Sequence, residues 1–458
     1  PVRQVTGNAQ LQIFAVLSFP ETAELGLLAS DLPDRWPSLT PDCHAAHGFE
    51  REIAEQWGRI PEGHPWLKPI RYEPPRRGPG RGIDLPLIGQ ADFFSIEGDE
   101  SHEVAVGPVH AGVIEPGHFR FLCHGETVYH LEISLGYQHR GIERAMVSGP
   151  TSRSLHYMET LAGDTSIGHA MAYSHAIESL TGIQVPPRAE VIRAIALELE
   201  RIANHIGDLG AMAGDVGFLP SLNYCGRIRG DVLNMTAVLC GNRFGRGLIR
   251  PAGMDWNLDS ELTNDLLARL DAVQKDVTGA VTLMLDTPSV LARFESTGAV
   301  SADTAQRIGL VGVAARACGL DRDVRFEFPY GLYRLAQIPV STWDRGDCFG
   351  RAYVRWMEIQ VSIDFIRHRL QELPAGPVTR DLPSLKADVL TVSLVEGWRG
   401  EICHVAGTDA EGRFAFYKVV DPSFHNWFGL ALALRHQQIS DFPLCNKSFN
   451  LSYCGHDL

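Results

Sequence analysis

Four polar side chains that could bind an ion or carry a proton lie close together in the stretch LAGDTSIGHAMAY (161–173). They are Asp164, Thr165, Ser166 and His169. The stretch passes from a predicted loop into a predicted helix, where short polar side chains satisfy the free N–H groups of the first turn. This structural role is favoured for Thr165 and Ser166. For Asp164 and His169 a second interpretation stays open, in which they line a cavity as a proton-conducting or anion-binding pair.

Cysteine is absent from that stretch, and its spacing elsewhere does not suit a metal site. The nine cysteines include no CxxC pair, and the closest two, Cys445 and Cys454, are nine residues apart. The odd number argues against a disulfide framework, and the spacing argues against a zinc or iron–sulfur site held by this chain alone. We expect buried, reduced thiols. The cysteines are Cys43, Cys123, Cys225, Cys240, Cys318, Cys348, Cys403, Cys445 and Cys454.

The charge of the chain argues against one large class of partner. The 458 residues include 41 Lys and Arg against 55 Asp and Glu, a net charge of −14, so no general excess of cations faces a nucleic-acid backbone. The short basic run RRGPGRG (76–82) lacks interleaved aromatic residues, and we interpret it as a linker bound to a partner subunit. The nearest candidate for a membrane span, NWFGLALAL (426–434), is far shorter than the ~18 residues that a span needs.

The elements that must position these residues are mostly helices. The clearest is 186–210, where Pro186 and Pro187 suit a first turn and the apolar residues recur at the spacing of one buried stripe. The stripe consists of Ile192, Ile195, Leu199, Ile202, Ile206 and Leu209. Weaker helical patterns cover 169–180, 258–286 and 344–372, and strands are predicted at 11–19, 126–137 and 413–421.

Composition divides the chain into three parts. Residues 1–72 form a small α/β segment, residues 73–100 an extended linker rich in Pro, Gly and Arg, and residues 101–458 one large α+β domain, mostly helical with a peripheral sheet. In the large domain, Asp347 and Arg351 are spaced i, i+4 on a predicted helix, which favours an ion pair between them.

Seven blocks occur in a fixed order along the large domain. They are GPVHAGVIEPGHFRF (107–121), LGYQHRGIE (135–143), PPRAEVIRAIALELERIANHIGDLG (186–210), GNRFGRGLIRPAG (241–253), RACGLDRDVRFEFPYGLY (316–333), DRGDCFGRAYVRWMEIQVSI (344–363) and DPSFHNW (421–427). Together they resemble the large subunit of group 4 membrane-bound NiFe hydrogenases, of the formate hydrogenlyase and hydrogenase-4 type. They also resemble the related large hydrophilic subunit that carries the quinone site of respiratory complex I. The segment FEREIAEQWGRIPEGHPWLKPI (49–70) is similar to the end of the small hydrophilic subunit of complex I, in truncated form.

The resemblance implies where a NiFe centre would be held. In the hydrogenases two CxxC pairs supply four thiolates, the soft ligands that suit nickel. Alignment places those positions at Ala162 and Thr165 and, near the end of the chain, at Ser452 and Gly455. Cys454 lies one place away from the expected register. We therefore predict no bound nickel and no other metal in this chain.

The same resemblance implies that the two loops lie side by side. Direct hydrogen bonds should then replace the metal. The side chains expected to make them include Asp164, His169, Ser452 and His456. The complex I branch is matched no better, because Gly163 stands at its quinone-binding Tyr and Pro116 near its quinone-binding His. We therefore expect neither reaction centre.

Two carboxylates match positions that the resemblance assigns to proton transfer. Glu115, in IEPGHFRF, stands where the hydrogenases keep an acid that passes protons away from the metal, and an apolar loop would raise its pKa. Asp215, in AMAGDVGF, stands where complex I keeps an Asp that leads toward the membrane arm. His205, which precedes Asp215 and lies on the predicted helix 186–210, is a further relay candidate. The structural alternatives are that Glu115 caps backbone N–H groups or pairs with Arg120, and that Asp215 and His205 form a buried polar pair that fixes helix packing.

Two functions are open on these grounds. The first is a structural and proton-coupling subunit of a membrane-associated, energy-converting complex that translocates ions or protons. The second is an active oxidoreductase subunit, in a complex of the NADH:quinone oxidoreductase or formate hydrogenlyase type, that passes electrons from a partner's 4Fe–4S cluster to a quinone or another small substrate. The missing thiolates favour the first, while Glu115 and Asp215 keep the second open. Both imply an iron–sulfur small subunit and membrane subunits as partners, no cofactor in this chain, and a peripheral position at the cytoplasmic face of the membrane.

Overall fold

The computed structural model of the chain describes residues 1–4, 11–76, 87–98, 100–110 and 115–458. Helices make up most of its regular structure, and the strands form small separate sheets. The predicted α+β class is confirmed. Within these ranges no helix combines the length and the apolar character that crossing a bilayer requires.

Fifteen α-helices occur among the described residues. They are α1 (His47–Trp57), α2 (Ile142–Met146), α3 (Ser154–Glu159), α4 (Ser166–Thr181), α5 (Pro187–Asp215), α6 (Leu219–Cys240), α7 (Ser260–Leu285), α8 (Pro288–Phe294), α9 (Ala302–Ile308), α10 (Gly312–Arg316), α11 (Val324–Glu327), α12 (Cys348–Gln371), α13 (Pro422–Ala433), α14 (Phe442–Phe449) and α15 (Tyr453–Asp457). The helices predicted at 169–180, 258–286 and 344–372 correspond to α4, α7 and α12.

The long helices α5, α6, α7 and α12 pack together as the core of the large domain. Helix α5 begins with a proline in its first turn, and its predicted stripe is buried, with Ile195 and Ile202 fully so. The helix continues past the predicted end at 210 to Asp215, because Met212 and Ala213 extend the buried face. The core of the large domain therefore contains one long helix that is buried over most of its length.

The strands pair within small sheets, mostly antiparallel. They are β1 (Val2–Gln4), β2 (Leu11–Phe19), β3 (Glu24–Asp31), β4 (Arg35–Pro37), β5 (Ile60–Glu62), β6 (Ser101–Val106), β7 (His118–His124), β8 (Thr127–Ser134), β9 (Ile249–Arg250), β10 (Gly253–Met254), β11 (Leu390–Glu396), β12 (Glu401–Thr408) and β13 (Phe414–Val420). The order is β1-β2-β3, β6-β7-β8 and β11-β12-β13 in the three-stranded sheets, and β4 pairs in parallel with β5. Three of these strands, β2, β8 and β13, confirm the strands that the sequence predicts.

The N-terminal segment packs against the end of the large domain. Arg71 Nε donates to the backbone oxygen of His456 at 2.8 Å, and Lys418 Nζ lies 2.6 Å from Glu52 Oε1. Both bonds are buried, so the segment is held by charged groups as well as by apolar contact. The boundaries at 72 and 100 stay predictions, and most of the RRGPGRG run lies outside the described residues.

The predicted ion pair between Asp347 and Arg351 is wrong. Asp347 is the N-cap of α12, and its carboxylate accepts from the backbone N–H groups of Gly350 and Ser296, each at 2.8 Å. The Arg351 side chain donates instead to the backbone oxygen of Gly346 at 2.6 Å. A carboxylate that caps the first turn is turned toward backbone N–H groups and away from the side chain one turn later.

All nine cysteines are free, as predicted. Six are buried, while Cys403 and Cys454 are partly buried and Cys43 is exposed. The prediction of buried thiols is therefore wrong for Cys43.

Candidate functional site

Two segments, the loop 160–165 and the C-terminal residues 450–458 with the short helix α15, lie side by side. They are named here the loop junction. Arg140 joins them, because its Nη2 donates to the backbone oxygen of Leu161 at 2.9 Å and to that of Cys454 at 3.1 Å. One guanidinium nitrogen thus reaches both loops. The prediction that the loops meet is confirmed.

Arg399 is a second link across the loop junction. Its Nη1 and Nη2 lie 2.7 and 2.8 Å from the two carboxylate oxygens of Asp164, and its Nε donates to the backbone oxygen of Asn450 at 2.6 Å. Burial acts to raise the pKa of Asp164, but the charge and hydrogen bonds of Arg399 outweigh it, so the pKa is lowered. Asp164 is therefore an ionised anchor for Arg399.

The hydrogen bonds that join the two segments are donated by Arg140 and Arg399. The sequence predicts instead direct bonds from side chains of the segments themselves. Ser452 Oγ accepts from the backbone N–H of Gly455 within its own loop, at 2.9 Å. His456 Nδ1 lies 2.9 Å from Asp457 Oδ1, which also accepts from the backbone N–H of Gly136 at 2.8 Å. The prediction is wrong for Ser452 and His456, because these short side chains reach near neighbours while a guanidinium carries five donors on a long stem.

The four aligned ligand positions carry no thiol, and the chain's own atoms crowd them. Ala162 is fully buried, and Thr165 Oγ1 accepts from Trp398 Nε1 at 3.1 Å. A Cβ added to Gly455 would lie 2.7 Å from Asp421 Oδ2, so the carboxylate occupies the space where a ligand side chain would begin. A NiFe centre does not fit these residues.

The thiol of Cys454 does not replace the missing ligands. Burial raises its pKa to about 12, and the nearby charge of Glu115 adds to the rise. In the chain by itself this sulfur is held in the protonated form, and one thiol cannot supply the four thiolates that a NiFe centre needs. Within the described part of the chain, no three His, Cys, Asp or Glu side chains are gathered as metal ligands would be.

A buried chain of four side chains, named here the histidine chain, runs beside the loop junction. His169 Nε2 lies 3.0 Å from Asp421 Oδ2, and His169 Nδ1 lies 3.1 Å from His404 Nε2. His404 Nδ1 in turn lies 2.9 Å from the hydroxyl of Tyr417. All four residues are buried, so the chain is shielded from water along its length.

The elements around the histidine chain fix its charge state. Asp421 is the N-cap of α13 and accepts from the backbone N–H of Ser423 at 2.8 Å. Burial acts to raise the pKa of Asp421, but His169 and Arg399 outweigh it and lower the pKa. Burial, with His169 adding to it, holds the pKa of His404 well below its usual range. A neutral imidazole has one donor and one acceptor nitrogen, so His404 can accept from the Tyr417 hydroxyl and donate to His169.

His169 and Asp164 have separate partners, and neither bonds to the other among the contacts described above. The first turn of α4, the helix that carries His169, is also capped in an unexpected way. Glu200 of α5 accepts from the backbone N–H groups of Ile167 at 2.7 Å and Gly168 at 3.1 Å, and its burial raises its pKa to about 8.

Because Glu200 takes these N–H groups, the predicted capping roles of Thr165 and Ser166 are wrong. Thr165 is the N-cap residue without a capping side-chain bond, and Ser166 Oγ donates to the backbone oxygen of Glu159 at 2.8 Å. A cap supplied by a carboxylate 32 or 33 positions away leaves no local signal in the sequence.

Glu115 lies at the edge of the loop junction. Its Oε2 accepts from the backbone N–H of Tyr453 at 3.3 Å. The alternative pairing with Arg120 is wrong, because Arg120 Nη1 bonds to Glu103 Oε2 at 2.9 Å across two paired strands. The structure thus brings Glu115 to the aligned ligand loop near the end of the chain, while its proton-transfer role stays a prediction.

Asp215 and His205 lie on the same helix but have different surroundings. Asp215 is the last residue of α5 and is exposed; partial burial raises its pKa, and Lys447 opposes the rise. His205 is fully buried, with Nε2 2.8 Å from Glu358 Oε2. The suggested pairing of Asp215 with His205 is wrong, because the partner of His205 comes from α12.

The sequence matches known proteins along most of its length. Residues 215–389 match the family described as respiratory-chain NADH dehydrogenase, 49 Kd subunit. The carbon monoxide-induced hydrogenase of Rhodospirillum rubrum is 30% identical over 352 residues, covering 76% of this chain and 97% of the relative. The chain belongs to the family that contains these proteins.

Two further relatives come from the same two groups of proteins, hydrogenases and NADH dehydrogenases. Formate hydrogenlyase subunit 5 of Escherichia coli is 29% identical over 441 residues, covering 92% of this chain and 77% of the relative. NADH-quinone oxidoreductase subunit 4 of Thermus thermophilus is 30% identical over 386 residues, covering 78% of this chain and 94% of the relative. The predicted resemblance to both the hydrogenase and the complex I branches is confirmed.

This member of the family also carries a buried group of charges that the sequence analysis missed, named here the ionic cluster. Its members pair directly with one another, and every side chain is at most 3% exposed. They are Arg201, Arg316, Arg325, Glu198, Asp323, Glu358 and Glu396. Three guanidinium groups therefore face four carboxyl groups.

The excess carboxyl group explains one pKa. Burial, with the charge of Asp323 adding to it, raises the pKa of Glu396 to about 7 despite its 2.8 Å contact with Arg316. His205 does not balance the excess, because burial lowers its pKa. A signal was present in the sequence, since Glu198 and Arg201 lie within the most strongly apolar helix pattern of the chain.

Proposed function

We propose that this chain is a structural and proton-coupling subunit of a membrane-associated, energy-converting oxidoreductase complex, in a form whose NiFe centre has been lost. Membership of the hydrogenase and NADH dehydrogenase family supports the oxidoreductase complex. The observation that carries the loss of the centre is the state of the four aligned positions. They are Ala162, Thr165, Ser452 and Gly455, and the Asp421 carboxylate crowds the last of them.

The partners follow from the same family. Relatives named as subunits of larger assemblies support docking of this chain onto an iron–sulfur subunit with a 4Fe–4S cluster and onto membrane subunits. The chain would then sit as a peripheral subunit at the cytoplasmic face of the membrane. No nucleic acid partner is proposed, because the net charge is −14.

The coupling role rests on groups that can exchange protons near the loop junction. Glu115 bonds to the backbone of Tyr453 there, and the histidine chain begins at the Asp421 carboxylate that crowds Gly455. Asp215 is exposed in the isolated chain, so a relay role requires that a partner subunit cover it and desolvate the carboxyl group.

The variants Glu115→Gln and Asp215→Asn test this proposal. They keep the size and most hydrogen bonding of each side chain but remove its titration. We expect the complex to assemble with both variants, while ion translocation coupled to turnover falls about a hundredfold, the lower end of the range for a lost proton-transfer group. Glu103→Gln is the matched control, since Glu103 pairs with Arg120 on a neighbouring strand and should leave translocation unchanged.

Full coupled activity of both variants across pH would overturn the coupling role. Metal analysis and EPR of the purified complex decide the other part of the proposal. Nickel in a 1:1 ratio to this chain would restore a hydrogenase function. Electron transfer from the partner cluster to a quinone that depends on residues of the loop junction would favour the active oxidoreductase instead.

A further inference from the structure

A small cleft lies between the N-terminal segment and the large domain, and it borders the loop junction at His456. It is lined by α1 and the loop after it, by β8 and by α13. The lining includes His47, Arg51, Trp66, Glu132 and Phe428, and the cavity has a volume of about 60 Å³. Since one water occupies about 30 Å³ in the liquid, the space suits a ligand of only a few heavy atoms.

Two polar nitrogens in the wall of this cleft are buried without a bond. Neither Trp66 Nε1 nor His47 Nδ1 meets a hydrogen-bond partner among the residues that the structure describes. The two rings are stacked, with centroids 6.2 Å apart and planes 8° from parallel. A buried donor without an acceptor costs free energy, so such groups in native proteins normally have a partner.

The third group is a buried cation without a carboxylate. Arg51 Nε and Nη2 donate to the backbone oxygens of Lys68 at 2.7 Å and Pro69 at 3.0 Å, and Arg51 Cζ lies 4.3 Å from the centre of the Trp66 ring. Within the described chain no acidic side chain lies within 4.0 Å of the Arg51 guanidinium nitrogens. Neutral backbone oxygens are its direct partners, and the charge of Glu55 acts on it only from farther away. The cation therefore lacks the directly paired anion that burial calls for.

The acidic residue of the cleft is already satisfied. Glu132 Oε1 lies 2.6 Å from Lys68 Nζ, and Glu132 Oε2 accepts from the backbone N–H of Phe94 at 3.0 Å. Burial, with Arg51 adding to it, lowers the pKa of His47 to about 3, so His47 is neutral at pH 7 and adds no second charge. The cleft therefore presents a guanidinium without a direct carboxylate partner, and unpaired nitrogens on one aromatic wall.

We propose that this cleft is a binding site for a carboxylate of one or two carbons. Such an anion would neutralise Arg51 and offer two oxygens, one for the Trp66 N–H and one for His47. Water fills the same volume but supplies no charge to pair directly with Arg51. The ligand would join α1 to the loop that carries Trp66, two parts of the segment that packs on β8 and α13.

Thermal unfolding of the full chain tests the site, with acetate as the probe and sodium chloride at the same ionic strength as the reference. We expect acetate to raise the midpoint above the chloride value and the rise to follow a one-site binding curve. Trp66→Phe keeps the ring and removes the N–H, so it should weaken acetate binding at least about tenfold.

The matched control is Trp343→Phe, because Trp343 Nε1 is likewise buried without a partner among the described residues but does not line the cleft. It should bind acetate as the wild type does. The linewidth of the ¹³C-labelled acetate signal, which increases when acetate binds, is a second and direct measure of binding. It is recorded with wild-type protein and with Arg51→Lys. Any of three results would overturn the site. They are equal stabilisation by chloride, no broadening of the acetate signal by the wild-type protein, and acetate binding by Trp66→Phe equal to that of the wild type.

Discussion

The ionic cluster and the loop junction are both held by arginine, but the partners of those arginines differ. In the ionic cluster, Arg316 meets Glu358 and Glu396 at 2.8 Å, with every side chain nearly inaccessible. In the loop junction, Arg140 donates to the backbone oxygens of Leu161 and Cys454. One region pairs charge with charge, and the other ties chain segments together mainly through neutral carbonyl groups, with Asp164 as the carboxylate that pairs with Arg399.

The difference separates a packing role from a linking role. Removing a guanidinium from the ionic cluster leaves a buried carboxylate without compensation, which is among the costliest changes in a protein interior. Removing one from the loop junction leaves carbonyl groups and at most one partly exposed carboxylate, that of Asp164. We therefore expect global destabilisation in the first region and local opening in the second.

The largest effect is expected for Arg316→Met. The change leaves the carboxylates of Glu358 and Glu396 without their shared cation, so the free energy of unfolding should fall by about 3–5 kcal/mol, as measured by urea denaturation. Arg227→Met, which breaks exposed pairs with Asp231 and Asp276, should cost less than about 1 kcal/mol. Similar losses for the two variants would remove the contrast between buried and exposed charge.

Arg399→Met should have a smaller and more local effect. It breaks the paired bonds to Asp164 and the bond to the backbone of Asn450, with an expected loss of about 2–3 kcal/mol. Hydrogen exchange should speed up in residues 450–458 and not in α5. Uniform acceleration over the whole domain would mean that the loop junction is as integral to the fold as the ionic cluster.

The smallest effect, and the one most dependent on pH, is expected for Glu396→Gln. The folded state holds the Glu396 pKa at about 7, above the ordinary value of 4.5, so it binds a proton that the unfolded chain has lost between these pH values. The stabilising contribution of Glu396 is therefore fully present below pH 4.5 and is lost as pH rises through about 7. The Gln variant should lack this decline, on the order of 1–3 kcal/mol.

Urea denaturation at a series of pH values gives the measurement. The variant should be less sensitive to pH between 4.5 and 7 than the wild type, and Glu411→Gln, at an exposed position, should follow the wild-type curve. Parallel curves for Glu396→Gln and the wild type would show that the ionic cluster holds Glu396 ionised, with no excess charge to relieve.

Much of the fold could be predicted because its signals are local. The apolar period over 186–210 locates α5 to within a few residues, and the alternation at 11–19 gives β2 with the same bounds. The end of α5 was missed, since Met212 and Ala213 extend its buried face through a glycine-rich stretch. The apolar period indicates which face of a helix is buried, and in α5 the buried face continues beyond the last residue that follows the period.

The site was less predictable because its bonds join distant residues. His169 was singled out from its own stretch, but its partners His404 and Asp421 lie 235 and 252 positions away. Arg140 lies in one of the seven blocks (135–143) and Arg399 lies outside them, and in neither case does the sequence indicate which groups the side chain meets. Family resemblance located the two loops of the junction, whereas the arginines that connect them required the structure.

The link made by Arg140 also sets an order of events during synthesis. Arg140 and Cys454 are 314 positions apart, so at about 5–20 residues per second the ribosome needs about 15–60 s between them. During that interval Arg140 can bind its first loop while the second does not yet exist. The bond from Arg140 to Leu161 can therefore form first, and the bond to Cys454 forms only after residues 450–458 have been synthesised.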